Sequence, residues 1–213
     1  MSDNSTLTIK QTIEVTTQIP MRWLNMFFKM KSAQELMPIF PNPKEVTESL
    51  GCFGAIRKLI GTDMFGDNEI TCLVPGDGVQ PRTGATIACL TNWNVISVDP
   101  LMRIEGKNPT FKKGRYHEWQ VNGLTCVKDK VENIETISAK TIIIVCVHSH
   151  AKIQDCVDRC DPQDRLIIVG LPCCVPYPET KKDGFVITRT RDYIDKHILT
   201  PKNRVLVWDM KKI

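Results

Sequence analysis

The sequence predicts an α/β domain: a doubly wound, mostly parallel sheet with helices on both faces, preceded by an N-terminal strand and helix arm. Three observations carry this. Apolar runs at Ile70–Val74, Lys140–Val147 and Arg165–Val169 have the length and β-branched content of strands buried on both faces. Helical patterns fall between such runs, so strands and helices alternate along most of the chain. Finally, Pro75-Gly76-Asp77-Gly78 joins one strand to a helix, and open α/β sheets bind ligands at such turns.

Each element follows in order. Leu7, Ile9, Ile13 and Val15 alternate with polar residues, which predicts a half-buried strand over 6–16. Arg22 to Met37 reads as a helix with Trp23, Met26, Phe27, Met30 and Leu36 near one face, broken by the proline-rich stretch 38–43. These aromatic residues are read as the domain's own core rather than a partner surface. A second helix starts near Lys44 and stops at Gly61. Residues 1–44 are therefore expected to form an arm or cover, and residues 45–213 the main domain.

A helix is expected from Pro81 to Asn92, since proline suits a first helical turn where its missing N–H has no partner to lose. Gly84, Ala85 and Ala88 let it lie close on a sheet. Asn94–Asp99 reads as the next strand. Over 100–138 the expectation is loops, a strand at Tyr116–Val121 and a short helix at Val127–Ile134. Ala151–Cys160 is expected to be helical, and Phe185–Ile187 and Arg204–Trp208 to be closing strands around a short helix near Asp192–Ile198. The whole reads as Rossmann-like.

Composition narrows the class. The chain has 213 residues, 42% of them hydrophobic and 24% charged, enough to bury a sizeable core and too apolar for general disorder. The net charge is +4, and the lysine pairs are scattered rather than gathered in a basic patch, which does not favour nucleic acid but leaves it open. Nine cysteines, several in apolar strands, suit small buried hydrophobes in a reducing compartment. Ile142–Val147 is too short to span a bilayer and the first twenty residues are polar, so no membrane partner and a cytoplasmic location are expected.

At the glycine turn a ligand can approach the backbone without meeting a Cβ, and the following helix offers unpaired N–H groups. Asp99 follows Gly78 by some twenty residues, near the ~20 expected of an acid that holds a ribose. Pro81 occupies the third position of a G-x-G-x-x-G fingerprint, and Asp77 would meet a pyrophosphate with like charge. Both count against a dinucleotide. A cationic sulfonium with an amino group would tolerate Asp77.

Leu73-Val-Pro-Gly-Asp-Gly78, with Val95-Ile-Ser-Val-Asp-Pro100, resembles motif I and the acidic second-strand motif of class I S-adenosylmethionine-dependent methyltransferases. The resemblance implies a divergent methyltransferase with S-adenosylmethionine as its small-molecule cofactor, bound by Pro75, Gly76, Asp77, Gly78, Asp99 and Pro100. By it, Gly76 and Gly78 line the methionine part and Asp99 holds the ribose. Two positions depart from the family pattern. Pro75 stands where an acidic residue usually precedes the glycines, and the fourth strand ends Val147-His148-Ser149-His150. A non-catalytic Rossmann-like scaffold and an NAD(P)-dependent oxidoreductase are the alternatives.

No catalytic residue is assigned by motif. His148 and His150 lie at the carboxyl end of a strand, where either serves as a candidate general base. The loop Leu171–Tyr177 ends the next strand at the same edge and is a candidate wall for the acceptor. A metal site would need His148, His150, Cys173 and Cys174 to converge, and adjacent cysteines are awkward ligands for one tetrahedral ion, so no metal is expected.

Overall fold

A computed structural model describes residues 21–103, 121–174 and 180–213. The strand expected over 6–16 and most of that at Tyr116–Val121 lie outside these residues. The elements are α1 (Arg22–Phe28), α2 (Ala33–Leu36), α3 (Pro43–Ile60), β1 (Ile70–Pro75), α4 (Arg82–Leu90), β2 (Asn94–Val98), β3 (Leu124–Val127), β4 (Ile137–Val147), α5 (Ile153–Asp158), β5 (Cys160–Leu171), β6 (Phe185–Ile194) and β7 (Arg204–Lys212).

The strands form one seven-stranded sheet in the order β3-β2-β1-β4-β5-β7-β6. Every pairing from β3 to β5 is parallel, and β7 is antiparallel to both β5 and β6, so only β7 is reversed. β1 is flanked by β2 and β4, so the chain builds outward on one side and then returns to build on the other. The carboxyl ends of β1 and β4 therefore bound a topological switch point, the crevice where such sheets hold ligands.

Alternation along the strands sorts the core into two layers. Ile143 and Val145 of β4 face a layer with Leu50, Phe53 and Ile56 of α3, Ile87 of α4, and Trp23 and Phe27 of α1. Ile142, Ile144 and Cys146 face the opposite layer, with Ile153, Cys156 and Val157 of α5. The aromatic residues Trp23 and Phe27 are thus core, while Phe28 is exposed. Burying a side chain of this size contributes about 1.5–3 kcal/mol, so α3 is held chiefly by its packing.

Several expectations are corrected. The helix expected over Arg22–Met37 is broken into α1, α2 and a 3-10 turn at Met37–Ile39. A straight helix of that length would run about 24 Å and carry Leu36 away from Trp23; the breaks return Leu36, Ile39 and Phe40 to the same core, with the Phe27 and Phe40 rings 5.7 Å apart. In place of a helix at Val127–Ile134 stand strand β3, in register with β2, and a 3-10 turn at Val131–Asn133. α5 is shorter than expected, and Cys160 begins β5. The helix expected near Asp192–Ile198 is also absent. β6 continues to Ile194 along β7, and Asp195 closes the turn by accepting from the His197 N–H at 2.9 Å and the Trp23 indole at 3.2 Å. β6 is an edge strand with many exposed residues, so its apolar alternation is too weak to read.

Candidate functional site

The chain leaves β1 at Pro75 and turns through Gly76 (φ +67°) and Gly78 (φ +82°) before α4. These backbone angles favour glycine. Gly76 has a second requirement: a Cβ there would lie 2.5 Å from the Ser149 hydroxyl and 3.3 Å from its Cα. The turn is tied to β2 twice. The Gly76 N–H donates to the Val98 carbonyl at 2.7 Å, and the Gly78 N–H to Asp99 Oδ2 at 2.9 Å. Asp99 is buried, and its Oδ1 accepts from the Leu101 N–H at 2.7 Å, which fixes the turn around exposed Pro100.

Asp77 is engaged within the chain. Its carboxylate turns toward the start of α4. Oδ1 accepts from the Thr83 N–H at 3.0 Å, and Oδ2 from the Gly84 N–H at 2.9 Å and the Ser97 hydroxyl at 2.7 Å. The Arg82 N–H donates to Gln80 and the Ala85 N–H to Pro81. The first four N–H groups of α4, expected to be unpaired, are thus all occupied within the chain. Burial pushes the Asp77 carboxyl up to about 6, against the opposing effect of the hydrogen bonds from Gly84, Ser97 and Thr83.

Beside the turn lies a cleft of about 260 Å³ lined by residues that include Lys44, Glu48, Arg82, Thr83 and His148. His148 has φ +50°, uncommon for a residue with a side chain, and its N–H donates to Leu171 of β5 at 2.9 Å. Its ring Nε2 lies 3.0 Å from Oε1 of Glu48 on α3, and Lys44 Nζ is 3.7 Å from the same oxygen. Glu48 is buried, and His148 Nδ1 is buried with no hydrogen-bond partner. A carboxylate and an imidazole so arranged form an acid–base pair at the edge of the cleft. Arg82 also borders the cleft but is held by Glu45 at 2.8 Å and the Ile39 carbonyl at 2.8 Å.

His150 does not join His148. It lies instead beside Cys173 and Cys174, with Nε2 3.5 and 3.4 Å from their sulfurs. Of the Leu171–Tyr177 loop, residues 175–177 lie outside the described structure. Five of the nine cysteines are buried.

Glu48 was not singled out from the sequence, although a signal exists. From Val46 to Ile56 it is the only charged residue in a stretch that is otherwise apolar, small or hydroxylated. A helix apolar on all sides is buried, and a charge inside it requires a partner. Ser97 and Ser149 carry no comparable mark.

The sheet order, the glycine turn and the acid that follows β2 together define a Rossmann-like fold of the kind that class I S-adenosylmethionine-dependent methyltransferases have. The structure superposes on a mutant of MtNAS in complex with S-adenosylmethionine with a TM-score of 0.53 and 14% identity, covering 95% of this chain and 75% of that one. It also matches magnesium protoporphyrin IX methyltransferase (ChlM) from Synechocystis PCC 6803 with bound SAM, with a TM-score of 0.47 and 14% identity over 79% of this chain and 81% of that one. A putative sarcosine dimethylglycine methyltransferase from Galdieria sulphuraria matches with a TM-score of 0.46 and 11% identity over 76% of this chain and 85% of that one. Comparisons with protein-family models and with curated sequences give no match. Among the described residues, no helix is long and apolar enough to cross a membrane.

Proposed function

We propose that the chain binds S-adenosylmethionine at the carboxyl edge of β1 and β2 and acts as a divergent methyltransferase. The observation that carries this reading is the double tie between the glycine turn and β2, through Val98 and Asp99. It holds the backbone at Gly78 open to a ligand and sets an acid beside it. Each Asp99 oxygen already accepts one N–H, and a carboxylate oxygen takes two hydrogen bonds, which leaves capacity for ribose hydroxyls. Pro75 and Pro100 flank the two turns. When bound, S-adenosylmethionine supplies an electrophilic methyl group.

The acceptor sits over the β4 and β5 loops. With its Nε2–H donating to Glu48, His148 carries its lone pair on Nδ1, which is buried without a partner, so a proton reaches it only from an acceptor that enters beside the ring. Glu48 fixes that tautomer and steadies the imidazolium.

The oxidoreductase alternative is weakened by Asp77. Dinucleotide sites place the pyrophosphate on a helix N-terminus, and here Asp77 already occupies two of those N–H groups. Calorimetry with S-adenosylmethionine, S-adenosylhomocysteine and NAD is the test. Binding of the first two, weakened about tenfold or more in a folded Asp99→Ala variant, is the expected result, equivalent to about 1.4 kcal/mol. Binding of NAD alone would sink the reading, and binding of none of the three would favour a non-catalytic scaffold.

A further inference from the structure

We propose that His150, Cys173 and Cys174 form a zinc site with an open fourth position, at the carboxyl ends of β4 and β5. Their ligand atoms make a nearly equilateral triangle. Cys173 Sγ and Cys174 Sγ are 3.4 Å apart, and His150 Nε2 lies 3.5 and 3.4 Å from them. An ion bonded to sulfur at about 2.3 Å and to imidazole at about 2.0 Å, with tetrahedral angles, needs N···S near ~3.5 Å and S···S near ~3.7 Å. The triangle therefore admits one such ion with little movement.

Adjacency of the cysteines does not prevent this. In a strand, neighbouring side chains leave on opposite faces. Here β5 ends at Leu171 and the chain bends at Cys173 and Cys174, which brings both sulfurs to one side. His150 comes from the loop after β4, and β4 and β5 are paired as far as Val147 and Leu171. The sheet register therefore delivers the third ligand. Among the described residues, this is the group of His, Cys, Asp or Glu side chains that converges as metal ligands do.

Donor chemistry selects the ion. Two thiolates and an imidazole suit zinc far better than magnesium or calcium, which prefer oxygen. Two thiolate charges also balance a divalent cation. Three protein ligands leave a fourth position for water or a bound molecule, as in catalytic rather than structural zinc sites. His150 and Cys174 are exposed, so that position opens to solvent, two residues along the chain from His148. The site does not depend on the methyltransferase reading.

Cobalt(II) added to the reduced full chain is the direct probe. The expected result is one ion per chain with a thiolate-to-cobalt charge-transfer band, displaced by zinc. Affinity should fall at least about tenfold in His150→Ala and in Cys174→Ser, and the band should vanish in a Cys173→Ser/Cys174→Ser double variant. Cys126→Ser should bind as the wild type does. Zinc should raise the melting temperature of the wild type and leave that of the double variant unmoved. Cobalt binding without the charge-transfer band, or equal affinity in wild type and double variant, would overturn the proposal.

Discussion

The two loops at the switch point use their polar groups in opposite ways. After β1, the turn is closed on itself. Asp77 is taken up by Thr83, Gly84 and Ser97, and Asp99 by Gly78 and Leu101. After β4 and β5, polar groups are less fully paired. His148 has a positive φ and an unpartnered Nδ1, and His150 and Cys174 are exposed. A cradle for a bound molecule gains from rigidity, because nothing need be ordered when the ligand arrives. A reactive edge needs side chains with lone pairs to spare. Both kinds of loop occur on one sheet, and Gly76, Gly78 and His148 line one cleft.

The largest expected break in this contrast is Gly76→Ala. It forces a side chain into a left-handed conformation, costing about 1–2 kcal/mol, and drives a Cβ into Ser149, costing about 1–3 kcal/mol more. Chemical denaturation should show a loss of roughly 4 kcal/mol, part of it recovered by adding Ser149→Ala. Gly78→Ala is the control. Its Cβ would meet only Arg82 Nη1 at 3.9 Å, so the loss should be confined to the backbone cost, about 1–2 kcal/mol. Equal losses at the two glycines would show that the contact with Ser149 does not matter.

Next comes the pH dependence of Asp77. Its carboxyl is raised from 3.8 to about 6 in the folded chain, so between those values the folded state holds more protons than the unfolded one. Stability from this group is fully present below about pH 4 and is lost as pH rises to about 6, by up to about 3 kcal/mol. Asp77→Asn does not titrate there. The stability of wild type relative to Asp77→Asn, measured by urea titration at pH 4, 5, 6 and 7, should fall across the window and level off above it. A stability of the wild type relative to Asp77→Asn that rose with pH would reverse the assigned sign.

The smallest effect tests the open loop. Glu48→Ala leaves both ring nitrogens of His148 without a partner and should cost about 1–3 kcal/mol, whereas Glu48→Gln keeps an acceptor and should cost about 1 kcal/mol or less. If the two variants melt alike, the Glu48–His148 contact holds nothing in place.

Much of the sheet was legible because its central strands are apolar on both faces. β1, β4 and β5 announce themselves as runs of Ile, Val and Leu, and Gly61 marks the end of α3. The short and peripheral pieces were not legible. β3 has four residues, and of β6 only Phe185–Ile187 reads as a strand, the rest emerging once it is laid against β7. Of the site, Gly76, Gly78 and Asp99 could be located because backbone turns and strand ends have local signatures. Glu48 could not be linked to His148, since the pair is 100 residues apart and meets only because α3 packs beside the end of β4.

By itself the sequence determined the alternating α/β order, the glycine turn and the acid that follows it, because strand and helix periods and glycine backbone freedom are properties of short stretches. Tertiary structure decided where the side chains go. It turned Asp77 inward to α4, set Glu48 against His148, and gathered His150 with two adjacent cysteines that a strand would have separated. The physical reason is the same in each case. A polar group's role depends on which partner reaches it first, and those partners arrive from other elements of the fold.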